Sequence, residues 1–169
     1  MTPRIQNHRG FTLLEIVVTL ILVGILATIA GLGISSGVRG YQFARENSEL
    51  AQKGQVAMAR LIKELTFLSA VSLAEANTLN FTAVRQGGNE THTIGWAAGS
   101  TNLLLDGRVL TDHLDPEAGL QLRFSDSPEG TQFDTWTAER RIIEITLRLR
   151  GADNTVTVFT ARVAPRGLS

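Results

Sequence analysis

Hydrophobic residues are spaced along this chain in three successive ways. Phe11 to Ile34 is an apolar run interrupted by one charge, Glu15. Beyond it, Leu50, Met58, Leu61, Ile62, Leu65 and Leu68 recur at helical intervals among Glu49, Gln52, Lys53, Arg60, Lys63 and Glu64. From Thr78 onward apolar and polar residues alternate, the period of strands. The first stretch slightly exceeds the roughly 20 residues a helix needs to cross a bilayer. The second reads as its amphipathic continuation, ending near Asn77, where turn formers begin. Glycines at 31, 33, 37, 40 and 54 each weaken a helix interior by about 1 kcal/mol relative to alanine, which predicts a kink in the upper membrane segment.

The alternating region predicts strands at Thr78 to Val84, Thr91 to Ala97, Leu103 to Leu105, Val109 to His113, Leu120 to Ser125, Arg141 to Arg150 and Thr155 to Val163. The last two are the strongest, with Ile143, Ile145, Leu147 and Leu149 set against Glu144, Thr146 and Arg148, and Gly151-Ala152-Asp153-Asn154 as the turn between them. Gln86 to Asn89 and Ser125 to Gly130 are further turn-forming loops. The fold class is therefore α+β: a long N-terminal α-helix, membrane-spanning in its first half, packed on a C-terminal antiparallel β-sheet. The chain divides into a polar, basic leader at 1–10, a transmembrane helical half at 11–34, an amphipathic helical half at 35–77 and a sheet domain at 78–169.

Charge sharpens the picture at the N-terminus. A carboxylate inside a hydrophobic span costs on the order of 2.5 to 3.5 kcal/mol on insertion scales, so Glu15 calls for a partner. A cut between Gly10 and Phe11 would supply one, because the new α-amine would stand one helical turn from Glu15 at the i, i+4 spacing. A secretory signal peptide has an apolar core of only about 7 to 15 residues before a small-residue cleavage site, and this run is too long for it. A plain anchor would explain the length but not Glu15 or the Gly-Phe junction. Arg4 and Arg9 precede the span, while Ser35-Ser36-Gly37 follows it before Arg39, which orients the leader toward the cytoplasm. The 169 residues carry zero formal net charge, which argues against a strongly basic nucleic-acid surface, and no cysteine, which removes disulfides and thiolate metal sites.

The string Arg9-Gly10-Phe11-Thr12-Leu13-Leu14-Glu15-Ile16-Val17-Val18 resembles the cleavage and methylation signature of type IV prepilins and type II secretion pseudopilins. That resemblance implies a pilin-like fold and a precursor cut after Gly10 by a prepilin peptidase, which then methylates Phe11. It also implies that Glu15 assists assembly with other pilin or pseudopilin subunits on an inner-membrane assembly platform. The expected location is the bacterial inner membrane, single-pass, with the C-terminal domain periplasmic. Major pilins carry a proline where Leu32 stands, and here Gly31 and Gly33 flank that position instead. Within the superfamily the body is similar to the minor pseudopilin J and PilW-like group, on the Met58 to Leu65 stretch, the Leu120 to Asp126 strand and the terminal Ala164-Pro165-Arg166-Gly167. Asp153 and Asn154 stand alone in a hairpin, unlike the calcium loop of major pseudopilins. The implied role is a non-enzymatic, minor subunit of a type II secretion pseudopilus. A type IV pilus or DNA-uptake minor pilin is the alternative within the class, and a membrane-anchored periplasmic binding module or enzyme the alternative outside it.

Elsewhere, enzymatic chemistry would need a nucleophile, an acid-base pair or a metal cluster. His92 and His113 are separated by several predicted turns and His8 lies in the leader, so each reads as a surface residue. Asp112, Asp115 and Glu117 read as a solvated loop around Pro116 in preference to a cation site. Trp96 and Trp136 fit either a small core or a subunit contact. Arg140-Arg141 is a weak patch for DNA and reads as a solvated strand start. No catalytic residue, cofactor or metal is expected.

Overall fold

The computed structural model describes residues 12–168. It divides into two compact units, Met1–Ala44 and Arg45–Ser169. One α-helix, α1 (Leu13–Thr66), runs through both. In the first unit it is helical throughout, Gly31, Gly33, Gly37 and Gly40 included, so the glycines lower its propensity without interrupting it. Every described side chain of this unit is exposed.

In the second unit α1 turns one face inward, burying Leu50, Gly54, Ala57, Met58, Leu61, Glu64 and Leu65. Two antiparallel sheets receive that face. The first contains β1 (Leu68–Glu75), β2 (Thr78–Arg85), β3 (Gly88–Gly95), β4 (Leu103–Leu105) and β5 (Arg108–Thr111), in that spatial order. The second contains β6 (Leu120–Ser125), β7 (Ile142–Arg150) and β8 (Val156–Val163), also in chain order. Leu61, Leu65, Leu68, Leu79, Phe81, Phe124, Ile143 and Ile145 meet in one core between helix and sheets. Burial of such side chains is worth roughly 1.5 to 3 kcal/mol each, which makes this core the main source of stability in a chain without disulfides.

Three boundaries differ from the sequence pattern. The helix expected to reach residue 77 ends at Thr66, because Leu68 to Glu75 pairs with β2 as strand β1. Leu65 and Leu68 continue the helical spacing, but pairing across the two-residue Ala76-Asn77 turn wins over that local pattern. Strand β3 runs from Gly88 to Gly95, not from Thr91 to Ala97, since the tight Gln86-Gly87 turn sets Arg85 opposite Gly88 and recruits polar residues by register. Strand β5 stops at Thr111, short of His113, which takes a left-handed conformation with φ 62°. The single sheet expected is two. Between β4 and β5, Asp106 and Gly107 have φ 53° and 75°, the two positive values that a two-residue type I′ hairpin needs.

The helix also touches the sheets through close packing and through charge. At Gly54 the helix backbone meets the ring of Phe159 on β8, and a methyl group there would lie 2.7 Å from Leu149 Cδ1. On the flank of α1 facing β5, Lys53 Nζ donates to both oxygens of Asp112 at 2.7 and 2.9 Å. That hydrogen bond, joined by one from His113 and opposed by partial burial, holds the Asp112 carboxyl below the usual carboxylate range.

Gly54→Ala is expected to destabilise the protein by about 1 kcal/mol, because overpacking of about 1–3 kcal/mol exceeds the roughly 1 kcal/mol that alanine adds to a helix. Thermal melts of the full chain in detergent measure it, and pairing the change with Phe159→Leu should restore part of the loss. A carboxyl whose pKa is depressed on folding contributes stability that is complete above its unfolded value of about 3.9 and is lost as pH falls through the folded value. The melting temperature should therefore fall on acidification below about pH 4, and Lys53→Met should flatten that fall; an unchanged acid limb in Lys53→Met would show that the pair is not coupled to folding.

Candidate functional site

The N-terminal half of α1 is built as a helix that cannot finish its own burial. Gly10 and Phe11, the expected cleavage and methylation positions, lie outside the described residues, as do Arg4, His8 and Arg9. The first described residue, Thr12, caps the helix. Its side-chain Oγ1 accepts from Glu15 N–H at 3.3 Å and its carbonyl from Ile16 N–H at 3.2 Å. Thr12-Leu13-Leu14-Glu15 has the T-x-x-E spacing of a capping box, in which the third helical residue is placed to answer the cap's own N–H. That spacing is legible in the sequence, beside the pairing and assembly role expected of Glu15. In the first turn the carboxylate also faces the positive end of the helix dipole.

From Leu13 to Ile34 the helix spans roughly 33 Å at 1.5 Å per residue, enough for a hydrocarbon core of about 30 Å. Among the described residues α1 is the one helix long and apolar enough to cross a membrane, and none of that segment is buried. Its polar atoms are satisfied from within: Thr19 Oγ1 donates to Ile16 O and Thr28 Oγ1 to Gly24 O, each at 2.9 Å. In lipid no water can serve those hydroxyls, so the helix backbone must. Tyr41, 69 % exposed, follows Arg39 just past the apolar run, the kind of pair that sits at a membrane–water boundary. The surface that results is apolar on all sides, with one carboxylate at its start. Chemically it can enter a bilayer or pack against similar helices.

The second unit brings together side chains that the sequence left apart. His92, expected on the surface, is buried; its Nδ1 is 2.8 Å from Asp106 Oδ2, and its Nε2 is 3.6 Å from Glu90 and 3.8 Å from Glu64. Glu64, fully buried on α1, pairs with Arg60 at 2.8 Å one turn earlier and with Arg85 at the end of β2. The Glu64 hydrogen bond raises the pKa of Arg85. Burial works against the charge of Asp106, but hydrogen bonds from His92 and from Thr93 N–H outweigh it and keep its carboxyl below the usual range. These groups fasten α1 to β2, β3 and the β4–β5 turn, and each charge is committed to a neighbour.

Asp115 corrects the expected solvated loop. It is buried and accepts from Glu117 N–H at 3.1 Å and from Arg150 at 2.8 Å. The Glu117 bond, against the cost of burial and with help from Arg150, lowers its pKa. His113 is exposed and stands 2.8 Å from Asp112. Among the described residues no group of three or more His, Cys, Asp or Glu side chains gathers as a metal site. Trp96 is buried and its indole N–H donates to Ser100 O at 2.7 Å, while half-buried Trp136 meets Phe124 edge-on with centroids 5.5 Å apart, so both serve the core. Arg140 stacks over Phe133 at 3.9 Å and bonds Thr135, and Arg141 N–H donates to Ser125 O, so this pair braces a loop.

The capped apolar half of α1, with its first-turn carboxylate, is thus an exposed surface that the rest of the described residues leave uncovered. No curated protein matches the chain. A family model for the prokaryotic N-terminal methylation motif matches residues 5–31, which covers the junction at Gly10-Phe11, Glu15 and most of the apolar run. Over that segment the chain carries the methylation motif characteristic of type IV pilins and pseudopilins, joined to a pilin-like architecture of one long N-terminal helix on antiparallel sheets.

Proposed function

We propose that this chain is a non-enzymatic, minor subunit of a type II secretion pseudopilus, made as a membrane precursor and assembled through α1. A prepilin peptidase cuts between Gly10 and Phe11 and methylates the new N-terminus. The leader, with Arg4 and Arg9, stays on the cytoplasmic side, and the sheet unit stands in the periplasm. The observation that carries the reading is the conjunction of the methylation motif with a helix half whose side chains are exposed throughout and whose one carboxylate opens it. Leaving that surface unpaired in water would expose many apolar side chains, while in a filament neighbouring helices cover it. Glu15 then finds the amine of Phe11 on an adjacent subunit, which removes the cost of an unpaired charge in an apolar bundle.

A tethered binding module would use the sheet unit as its working part. The groove between α1 and β5 is open to solvent, and its Lys53 and Asp112 are bonded to each other. That arrangement favours the filament reading over a ligand site.

Intact-mass and N-terminal peptide analysis of the full chain, expressed with and without a prepilin peptidase, tests the processing step. A peptidase-dependent N-methylated Phe11 is expected, and an uncut Met1 would overturn the reading. Gly10→Leu should leave the precursor uncut in the same assay. Glu15→Leu should be cut as efficiently as the parent but be depleted from sheared filaments; equal recovery of both forms would remove the assembly role of the carboxylate.

A further inference from the structure

Strand β8 presents an open edge whose hydrogen-bonding groups can be assigned one by one. On β7, Arg148 N–H donates to Gly119 O and Arg150 N–H to His113 O, away from β8. Their partners Val158 and Val156, and by alternation Thr160 and Arg162, therefore direct their N–H and C=O outward from β8. Among the described residues no other main-chain group bonds them. All four residues are exposed, and the strand runs eight residues in regular register with no proline and one charge. Natural sheets guard such edges with bulges, proline or charges. An unguarded row of N–H and C=O groups fits one kind of ligand, another extended backbone.

Side-chain charge narrows the choice of strand. The residues that face outward along β8 also line one face of its sheet, where Val156 and Val158 are 41 % and 53 % exposed. Beside them on β7 stand Glu144, Thr146, Arg148 and Arg150. Glu144 bonds Arg162, and Arg150 bonds Asp115. Arg148, directly across from Val158, is exposed and makes no ion pair among the described residues. Asp115 feels its charge but is bonded to Arg150 and to the Glu117 N–H. Strands lie about 4.8 Å apart, so the long arginine stem can rest on Val158 and bring its guanidinium to the residue beyond. That residue belongs to the incoming strand, and a carboxylate there would pair with Arg148 across the sheet face.

A second copy of this chain does not meet those requirements. Two β8 edges would set one unpaired Arg148 against another. Strand β1 carries two register shifts with Gly167 packed at its side, β5 is four residues long, and β6 is covered by Phe133 and by the Ala76 carbonyl. The strand that completes the sheet therefore comes from a different polypeptide.

We propose that β8 is a docking edge for an extended segment of another protein, paired antiparallel, with a carboxylate opposite Val158 and β-branched residues flanking it on the same face. Main-chain bonds from Val156, Val158 and Thr160 supply the affinity, and Arg148 with the two valines selects the side chains. Strand β8 has one free edge, so each subunit takes one such segment and the contact does not propagate. All of these groups lie in the second unit, so strand docking at β8 holds or fails independently of the filament reading.

A fluorescein-labelled peptide, Thr-Val-Thr-Glu-Thr-Val-Thr, alternates in the required way and serves as the probe. Titrated with the full chain in detergent, it should bind saturably by fluorescence anisotropy. Hydrogen exchange should slow at Val156, Val158 and Thr160 and not on β1 or β5. The same peptide N-methylated at its glutamate loses the central donor and should not bind. Replacing that glutamate by lysine should weaken binding about fivefold, the upper end for an exposed charge pair, and Arg148→Glu should reverse the preference. Val158→Pro removes an N–H that points away from β7, so it should abolish binding while the β7–β8 ladder stays protected from exchange. No binding of the glutamate peptide, equal binding of its N-methylated form, or protection on another strand would overturn the inference. So would slowed exchange at Val158 that grows with protein concentration in the absence of peptide, the mark of a second copy.

Discussion

A single helix in this protein must satisfy two unlike surroundings. From Leu13 to past Ile34 its side chains are apolar on every side and none is covered by the chain itself. From Leu50 to Leu65 the same helix presents one apolar face, and the two sheets cover it. A soluble amphipathic helix gains its stability from that one-sided burial. The first half gains nothing of the kind, so its stability depends on lipid or on other helices. The chain meets this by internalising the few polar atoms in that half: the Thr19 and Thr28 hydroxyls return to the helix backbone, and Thr12 answers the first N–H groups.

The second half solves a different problem, which is how to hold a small sheet domain to a helix without disulfides. Apolar contact supplies most of the stability, and Gly54 lets the Phe159 ring approach the helix axis closely. Direction and register are pinned by charge. Glu64, Arg60, Arg85, His92 and Asp106 connect four elements around one buried carboxylate, while Lys53–Asp112 and Arg150–Asp115 fix the flank. A buried ion pair adds little net stability because desolvation offsets its attraction, but breaking one costs about 3–5 kcal/mol by stranding a charge. Such pairs therefore select one arrangement of helix and sheets more than they strengthen it.

What the sequence revealed follows the same division. The membrane half, the amphipathic stripe and the β7–β8 hairpin were legible because each is governed by local period, and β7 and β8 begin within one residue of expectation. Strand β1 was not legible, since Leu65 and Leu68 extend a helical spacing that only pairing with β2 interrupts. His92 and Asp115 read as surface residues because their partners lie at Glu64, Asp106 and Arg150, distances along the chain that no local pattern encodes. Glu64 sat among the polar residues of the amphipathic pattern, yet it is fully buried, because Arg85 comes across from the end of β2 to meet it. The N-terminal methylation motif was the most legible part, carried by residue identities in a short string that the family match at residues 5–31 covers; the Thr12 cap was there to be read as well.

That capping geometry changes how Glu15 is understood. A glutamate three residues after a threonine cap belongs to the ordinary grammar of helix starts, and it would favour helix formation here whether or not the chain were cut. The two roles converge on one place. Cap and carboxylate both face the open end of the helix, where the first N–H groups lack intrahelical partners and the dipole is positive. Cleavage before Phe11 would put an ammonium group at that same end, adding a full positive charge where the helix already favours an anion. In the proposed assembly the carboxylate would be attracted both by its own helix end and by the amine of a neighbouring helix start, and could lose one partner without being left unpaired. An unpaired carboxylate among apolar helices is the state that insertion penalises most. Placing Glu15 in the first turn, with a threonine cap before it, would keep that state out of reach if a subunit moved from the bilayer into a bundle as proposed.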